Sequence, residues 1–332
     1  MKNRCFEAFF LLLTVGLLLF GLAACAPVPQ KAEILPVSSV NYNNYINGNL
    51  VDCRDGYLAL YQYGVIRNTL ALYDGEGIVT TVSNADEGFQ IFRKQLFYVK
   101  NNKLKAFDIP SGQTTEIAKN VAVFLVHTDG IYYLTEPGPE SDSWLGSVQK
   151  YDWGTKSHRT VYENVRQFYV YSDTLYLMDG EDTLIEISPS GEARELAQFQ
   201  PAVYPYTVAA QGKKLLSIGA NDDLLILDIA TGEKRTISIQ EGTYSNNRIH
   251  FVCDDTRTFV SFQATQTNGS VVTDRDSELN GVWQIDTDTQ TKRKVCDTYF
   301  ESLYLCDGVL MGVKDNGLYR IDMDTGEIQS LA

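Results

Sequence analysis

The hydrophobic positions of this chain recur in short runs and not at helical spacing. After residue 50 an apolar run of strand length is followed by a turn, a further strand ending in a large apolar residue, and a tight turn. This unit occurs seven times, and its apolar ends are Tyr73, Phe107, Tyr151, Ile187, Leu227, Ile285 and Ile321. Their mean spacing is about 41 residues, the length of one propeller blade. The pattern therefore predicts an all-β chain folded as a single β-propeller of seven four-stranded blades.

The third repeat shows how one unit divides into strands. Its strand-like segments fall at 121–127, 131–135, 147–152 and 158–163, separated by a turn, a long loop and a second turn. In most repeats the second segment is β-branched or aromatic and apolar on both faces. We therefore expect each blade to pack on both faces against its neighbours, and we expect no helix of period 3.6.

The turn between the third and fourth strands has its own signature. Gly112 follows Asp108 by four residues, and the same spacing recurs at 228–232 and 322–326. The Asp side chain can accept hydrogen bonds from the backbone just ahead, and Gly supplies the positive φ that closes a bulged hairpin. Lys156 and Gln290 occupy the Gly position in two repeats, an irregularity of sequence that is ordinary in propellers.

The N-terminus is organised as a secretory signal peptide, with Lys2 and Arg4 ahead of an uncharged apolar stretch at 8–24. The Leu-Ala-Ala-Cys sequence at 22–25 resembles the bacterial lipobox, which implies cleavage before Cys25 and lipid on its sulfur. An uncleaved anchor helix is the alternative, but the small residues before Cys25 favour a lipoprotein. We predict a signal peptide at 1–24, a lipidated tether at 25–45 and the propeller at 46–332, held outside the cytoplasm on a bacterial membrane.

The repeat also resembles a known group of propellers. Its Asp-x-x-Thr/Ser-Gly turns, together with Asp-Gly and Tyr-Tyr-Leu ahead of them, look like an uncharacterised bacterial propeller family. That family is related to the propellers of low-density-lipoprotein receptors and, more distantly, to quinoprotein repeats. The resemblance covers 46–332 and implies a fold, not a function. Quinoprotein repeats place a Trp shortly after the Thr-Gly turn, and the segments 114–117, 235–237 and 328–331 contain none. This departure argues against a quinone, and the sequence gives no signal for which we would expect a cofactor.

The formal net charge of −14 would repel nucleic acid and anionic lipid headgroups, so we expect no nucleic-acid partner. The acidic residues are scattered through turns and do not form one block. This distribution favours a solvated surface, and a cationic partner stays open as the alternative.

Besides Cys5 and Cys25, the chain contains four cysteines: Cys53, Cys253, Cys296 and Cys306. An even number in an exported protein permits disulfides. Three of the four end the first strand of their repeats, where a small buried side chain fits a crowded inner strand. We therefore favour buried thiols over disulfides, and the lack of a Cys-x-x-Cys pair argues against zinc.

Two loops between second and third strands are long, at 136–146 and 264–281. Strand order places them on one face of the disc, together with the connections between blades. The candidate binding rim on this face consists of Glu136, Glu140, Asp142, Trp144, Tyr204, Tyr206, Tyr244, Asn246 and Tyr299. Because Tyr and Trp contribute strongly to recognition, the rim predicts a surface for protein, peptide or glycan. Local packing of these aromatics under the loops is an alternative of equal weight.

Oxygen-bearing side chains alternate in the second long loop, at Asp274, Asp276, Glu278 and Asn280. Calcium loops of the EF-hand type need Gly where Leu279 stands, so a solvated loop is favoured and no metal is expected.

Signals for catalysis are sparse, because the chain has no Ser-hydrolase elbow, zinc-protease motif or phosphate loop. His127 and His250 fall near inner strands, where an acid or base at the channel mouth would lie. A structural role is favoured for both, and no residue is assigned as catalytic.

Together these patterns predict a membrane-anchored, extracytoplasmic binding or scaffold module. It would be held by lipid on Cys25 and recognise an unidentified protein, peptide or glycan on the face with the long loops. Two alternatives stay open. One is a propeller enzyme acting on a glycan at the channel mouth, and the other is an envelope-assembly factor that binds its partner through a strand edge or the rim.

Overall fold

The computed structural model describes residues 31–35, 41–45, 50–64, 67–86, 88–136, 145–198, 209–218, 223–239, 248–268, 271–274 and 278–332. Within these ranges the chain is built from antiparallel strands, and its one helix is a 3-10 turn, Tyr42–Tyr45. No helix in the described part of the chain has the length and apolar character to cross a membrane. The predicted all-β class is confirmed.

Each of the first two sheets consists of four strands hydrogen-bonded in chain order. Their strands are β1 (Val51–Arg54), β2 (Tyr57–Gln62), β3 (Thr69–Tyr73), β4 (Ile78–Ser83), β5 (Phe89–Phe92), β6 (Gln95–Lys100), β7 (Lys103–Asp108) and β8 (Gln113–Lys119).

The third sheet has seven strands. They are β9 (Val121–His127), β10 (Gly130–Thr135), β11 (Gly146–Asp152), β12 (His158–Tyr171), β13 (Thr174–Asp179), β14 (Thr183–Ile187) and β15 (Ala193–Gln198). The long strand β12 pairs with β11 through its first part and with β13 from Val165 onward. The segment predicted at 158–163 therefore continues directly into the first strand of the next repeat.

The remaining sheets again have four strands each, apart from a two-stranded hairpin inserted in the fifth. Their strands are β16 (Ala209–Gln211), β17 (Lys214–Ile218), β18 (Leu224–Asp228), β19 (Lys234–Ile237), β20 (Arg248–Cys253), β21 (Thr258–Gln263), the hairpin β22 (Thr265–Asn268) and β23 (Val271–Asp274), β24 (Gly281–Ile285), β25 (Lys292–Cys296), β26 (Ser302–Cys306), β27 (Val309–Lys314), β28 (Gly317–Ile321) and β29 (Ile328–Ser330).

Neighbouring sheets pack face to face through apolar side chains. Phe97 of the second sheet and Val126 of the third belong to one buried cluster, and the Trp153 ring stacks on Phe92 at a centroid distance of 6.2 Å. Burial of each such side chain contributes about 1.5–3 kcal/mol to folding. On its other face the second sheet packs against the first, where Leu96 and Leu72 belong to another buried cluster. The predicted packing on both faces is confirmed for this sheet.

The ring closes without strand exchange, because β29 is the fourth strand of the last sheet and β1 is the first strand of the first. Residues 31–35 pack into the seam between these two sheets. The Glu33 backbone N–H donates to the Leu331 carbonyl oxygen at 3.0 Å, and the Cys53 thiol donates to the Leu35 carbonyl oxygen at 3.2 Å. The N-terminal segment therefore takes part in closing the ring.

The predicted turn chemistry is confirmed. Asp108 Oδ1 accepts a hydrogen bond from the Ser111 backbone N–H at 3.0 Å, and Gly112 has φ +71°. Lys156 and Gln290 stand at the equivalent position with φ +54° and +61°. Residues with a Cβ are strained in this region, so these two turns keep the shape of the glycine turns at an energetic cost.

Replacing Gln290 by Gly is expected to raise the free energy of unfolding by about 1 kcal/mol, because relief of left-handed strain outweighs the added freedom of the unfolded chain. The reverse change, Gly112→Gln, should lower it by a similar amount. A Cβ at Gly112 would meet no atom within 4 Å, so only the backbone conformation opposes it. Denaturant unfolding of both variants tests the pair, and an effect of the same sign in both would contradict the explanation.

Candidate functional site

The predicted binding rim lies mostly outside the described residues. This holds for Glu140, Asp142, Trp144, Tyr204, Tyr206, Tyr244 and Asn246, and also for the proposed lipidation site Cys25. Of the nine rim residues the structure places Glu136 and Tyr299.

Glu136 and Tyr299 belong to different sheets and make separate contacts. Glu136 is exposed, and its carboxylate accepts a hydrogen bond from the Asn102 side-chain amide. Tyr299 is half-buried with its ring 6.2 Å from that of His250, and burial raises the pKa of its hydroxyl. In the described part of the chain no hydrogen bond or ring contact joins the two, so the structure does not bring them into one site.

The centre of the ring is occupied by the chain's own N-terminal segment. Asn43 is 2 % exposed, and its Nδ2 donates to the carbonyl oxygens of Ala210 and Cys253 at 2.7 and 2.9 Å. Its Oδ1 accepts from the Ala210 backbone N–H at 3.0 Å and from the Tyr169 hydroxyl at 2.5 Å. One side-chain amide thus links inner strands of the third, fourth and fifth sheets.

Asn41 and Asn44 extend this network to the last sheet. Asn44 exchanges two hydrogen bonds with the Leu305 backbone, at 2.8 and 3.1 Å, as a neighbouring strand would. Asn41 Nδ2 donates to the carbonyl oxygens of Cys253 and Leu305 at 2.9 and 2.8 Å. We call Asn41–Tyr45 the central plug. It lies N-terminal of the predicted domain boundary at residue 46, so the folded part of the chain begins earlier than expected.

The plug also contacts a buried carboxyl group. Asp52 of β1 is fully buried; its Oδ1 accepts hydrogen bonds from the hydroxyls of Tyr304 and Tyr45 at 3.0 and 3.2 Å. Its Oδ2 accepts from the Ile91 backbone N–H at 2.5 Å. Burial raises the pKa of Asp52 to about 6, opposed by these hydrogen bonds and by the charge of Arg54. Asp52 therefore joins the plug to the first, second and last sheets.

An open cleft of about 690 Å³ lies above the plug. Its lining combines the plug with the turns between first and second strands: Asn41, Tyr42, Asn43, His127, Thr128, Tyr171, Ser172, Asp173, Asp254, Asp255, Arg257, Leu305, Cys306, Asp307 and Gly308. We call this space the axial cleft and its side of the disc the turn-bearing face. Because strands alternate in direction, this face is opposite to the one that bears the predicted rim.

Acidic side chains dominate the wall of the axial cleft. Asp254 pairs with Arg257 at 2.6 Å, and Asp255 accepts a hydrogen bond from the Tyr171 hydroxyl. Asp173 and Asp307 add two further carboxylates. Among the described lining residues Arg257 is the one Lys or Arg side chain, so the cleft carries net negative charge.

His127 is part of a polar cluster beside the cleft. Its Nδ1 lies 2.7 Å from Asp129 Oδ1, and its ring packs 5.2 Å from that of Tyr42. Asp129 also pairs with the buried Lys150 and accepts a hydrogen bond from the Tyr132 hydroxyl at 3.3 Å. Burial alone would raise the pKa of Asp129, but the bonds from His127 and Lys150 outweigh it and hold that pKa well below its usual range. With 3 % of its surface exposed, His127 offers little access to a substrate.

His250 lies on β20 and is half-buried. Burial, assisted by the charge of Arg248, lowers the pKa of His250 to about 4, and its Nδ1 makes no hydrogen bond in the described part of the molecule. The two rings therefore differ, since Nδ1 of His127 lies beside Asp129 and Nδ1 of His250 is buried without a partner in the described part of the molecule.

Cys53, Cys253, Cys296 and Cys306 are thiols in the structure, and no disulfide joins them. Three of them are buried, and burial raises the pKa of Cys53 and of Cys306 to about 12. Within the described ranges no group of His, Cys, Asp and Glu side chains has the arrangement of a metal site. In the loop considered for calcium, Asn280 Oδ1 accepts the Ala264 backbone N–H at 2.7 Å and so has a structural partner.

Sequence reasoning missed the plug and the cleft. The plug has one local signal, the run Asn-Tyr-Asn-Asn-Tyr at 41–45, which is richer in amides and aromatics than a tether requires. The cleft has a weaker one, since Asp occurs in the turn after the first strand at Asp129, Asp173, Asp255 and Asp307.

No protein-family model matches the chain, and no curated protein matches it either. Solved structures do. The extracellular domain of a putative one-component system from B. thetaiotaomicron is similar with a TM-score of 0.57 at 12% identity, over 84% of this chain and 41% of that one. The N-terminal domain of Nup159 matches with a TM-score of 0.50 at 11% identity, over 92% and 94% of the two chains. A europium-containing methanol dehydrogenase matches with a TM-score of 0.50 at 11% identity, over 92% and 85%.

These neighbours and the succession of four-stranded sheets define the chain as a β-propeller protein. At 11% to 12% identity the similarity establishes the fold alone. These neighbours are proteins of different kinds, so the shared fold does not indicate a function. The function has to be inferred from the residues of this chain.

Proposed function

We propose that this protein is a bacterial lipoprotein whose propeller binds a cationic protein segment in the axial cleft. The observation that carries the proposal is the cleft itself, a space of about 690 Å³ closed at its base by the plug and walled by Asp173, Asp254, Asp255 and Asp307. A closed-ended acidic cleft suits a Lys- or Arg-bearing segment, because opposite charges guide encounter and fix orientation.

The proposal includes seven blades. The seven-stranded sheet has the composition of two four-stranded blades that share β12. The third blade would end and the fourth begin at Val165, which pairs with both β11 and β13. The other five four-stranded sheets then supply one blade each.

The location rests on the N-terminal sequence. Signal peptidase cleavage before Cys25 and lipid on its sulfur would leave the propeller outside the cytoplasm, anchored to a membrane by its N-terminus. The neighbour from B. thetaiotaomicron is likewise an extracellular domain.

Binding is favoured over catalysis by the state of the titratable groups near the axis. His127 is fixed between Asp129 and the Tyr42 ring, and Asp52 is fully buried under three hydrogen bonds. A general acid or base must reach the atom whose proton it moves, and neither side chain is exposed to do so.

A fluorescent Lys- and Arg-rich peptide is expected to bind the mature protein, and a Glu-rich peptide of equal length is not. Changing both Asp173 and Asp255 to Asn should weaken binding by about tenfold, equivalent to about 1.4 kcal/mol. The Asn oxygen at 255 can still accept the Tyr171 hydroxyl, so the change removes charge with little effect on shape. Asp324→Asn is the matched control, because this exposed residue lies in a peripheral turn of the last sheet.

The loop-bearing face is the second candidate surface. A depression of about 520 Å³ lies at the base of the first long loop, lined by Leu145, Tyr162, Glu163, Asn164, Asp179, Gly180 and Glu181. A variant in which a short Gly-Ser turn replaces residues 136–146 distinguishes peptide binding at the long loop from binding in the axial cleft. Binding that survives this replacement and falls in the Asp variant supports the axial cleft, and the opposite result transfers the site to the loops.

A further inference from the structure

The N-terminal segment enters the ring from its periphery. Lys31 is exposed, and Glu33 is hydrogen-bonded to Leu331 just beyond the outermost strand β29. Leu35 lies further in, where its carbonyl oxygen meets the Cys53 thiol at the end of the inner strand β1. The residues that precede Lys31 are therefore joined to the propeller at the outer edge of the seam between the first and last sheets.

The two outer strands that flank this seam have no charged residues. They are β4, with the sequence Ile-Val-Thr-Thr-Val-Ser, and β29, with the sequence Ile-Gln-Ser. Every other outer strand exposes at least one charge within the described residues: Glu116 and Lys119 in β8, Arg159 and Glu163 in β12, Arg194 and Glu195 in β15, Lys234 in β19, and Lys292 and Arg293 in β25.

Charged side chains on an outer strand normally prevent its unpaired backbone from pairing with another chain. An outer strand without charged side chains, such as β4 or β29, avoids this pairing only if another surface covers its edge. The position of the uncharged strands coincides with the point where the N-terminal segment leaves the ring.

We propose that this seam edge, formed by β4, β29 and residues 31–35, faces the lipid surface, so that the disc stands on its rim. The inference rests on the proposed lipid at Cys25. Six residues, 25–30, separate the lipid from Lys31. Even fully extended, they span about 20 Å, so the seam is the part of the ring held nearest to the bilayer.

Charge supports the same orientation. The axial cleft on the turn-bearing face is acidic, and Glu163, Asp179 and Glu181 add acidic groups to the opposite face. Either face laid flat on an anionic membrane would be repelled, whereas the seam edge has no net charge, because β4 and β29 are uncharged and Lys31 offsets Glu33 in residues 31–35. Both faces stay open to a soluble partner when the disc stands on its rim.

The test uses a fluorophore on one introduced cysteine in the lipidated protein, reconstituted into phosphatidylglycerol-containing vesicles with a nitroxide-headgroup lipid. Thr81→Cys places the label on the exposed side of β4, and Thr236→Cys, also exposed on an outer strand, places it on β19 as the matched control. Cys296→Ser is included in both, because Cys296 is the least buried of the native thiols in the described chain. We expect loss of most of the fluorescence from the label at residue 81 and little loss from the label at residue 236.

Equal quenching at both positions, or stronger quenching at residue 236, would overturn the proposed orientation. Quenching of the labels at residues 81 and 236 is also measured for residues 26–332 with an N-terminal His-tag, bound to nickel-chelating vesicles. The tag attaches the protein at the same end of the chain without native lipid. Mass analysis of the Cys25 peptide reports lipidation separately. If Cys25 is unlipidated and the tagged protein still shows quenching of the label at residue 81, the lipoprotein proposal is refuted and the orientation is supported. If the soluble chain forms dimers in which residue 81 is protected, the seam edge pairs with a second copy of the chain and does not face lipid.

Discussion

Replacing Asn43 by Leu is expected to lower the free energy of unfolding by about 3–5 kcal/mol, a large effect for one substitution. The Asn43 amide makes four hydrogen bonds in the centre of the ring, with Ala210 N–H, Ala210 C=O, Cys253 C=O and the Tyr169 hydroxyl. Leucine makes none of them. The Cys253 carbonyl oxygen keeps its hydrogen bond from Asn41, but the Ala210 N–H and the Tyr169 hydroxyl lose the acceptor that Asn43 provides. Each polar group left buried without a partner costs about 1–3 kcal/mol. Equilibrium unfolding of the mature chain in denaturant gives the value.

Two further variants identify the cause of that loss. Asn43→Asp preserves the volume but cannot donate to the two carbonyl oxygens when ionised, so it should also be strongly destabilising. Gln329→Leu makes a similar amide-to-alkyl change on the exposed outer strand β29 and should stay within about 0.5 kcal/mol of the wild type. An Asn43→Leu protein within about 1 kcal/mol of the wild type would show that the plug does not hold the ring together.

The second large effect is a pair of opposing pH dependences in the interior. Burial raises the pKa of Asp52 to about 6, above its unfolded value, so folding favours the protonated acid. This contribution to the free energy of unfolding is about 3 kcal/mol. It is fully present below about pH 4 and is lost as the pH rises through 6. Burial lowers the pKa of His250 to about 4, so its contribution is present above about pH 6.5 and is lost as the pH falls through 4, again by about 3 kcal/mol.

Between about pH 4 and 6.5 these two contributions nearly cancel in the wild type, and single substitutions should separate them. Asp52→Asn is expected to leave a protein whose free energy of unfolding falls on acidification. His250→Phe, which retains a ring against Tyr299, is expected to leave one whose free energy of unfolding rises on acidification. The measurement is denaturant unfolding at half-unit pH steps, with exposed Asp324→Asn as the control for a surface change of charge. Parallel pH profiles in the Asp52 and His250 variants would contradict both assignments.

The sequence predicts the local parts of the fold well, because turns and strands are determined by neighbouring residues. The segment predicted at 121–127 is β9, and the Asp and Gly turn at 108–112 has the predicted hydrogen bond and positive φ. The continuation of β12 from residue 163 to Tyr171 is not visible in the same way. Nothing in the local pattern says whether one strand ends before the next begins.

The site was predicted less well for a physical reason. Asn43 binds Ala210 and Cys253, which are 167 and 210 residues away. The local run of amides and aromatics at 41–45 does not identify such partners. The acidic wall of the axial cleft likewise appears only when the turns at Asp173, Asp255 and Asp307 meet around the axis. The rim on the loop-bearing face stays a prediction, since seven of its nine residues lie outside the described chain.

The central plug also has a consequence for the order in which the protein is made. Ribosomal synthesis completes Asn41–Tyr45 before any strand exists, whereas the hydrogen-bond partners at Ala210, Cys253 and Leu305 arrive late in translation. Because contacts between such distant positions form slowly, the segment can complete its hydrogen bonds only after the last sheet has been synthesised. Residues synthesised before any strand of the propeller are therefore among the last to be fixed in place.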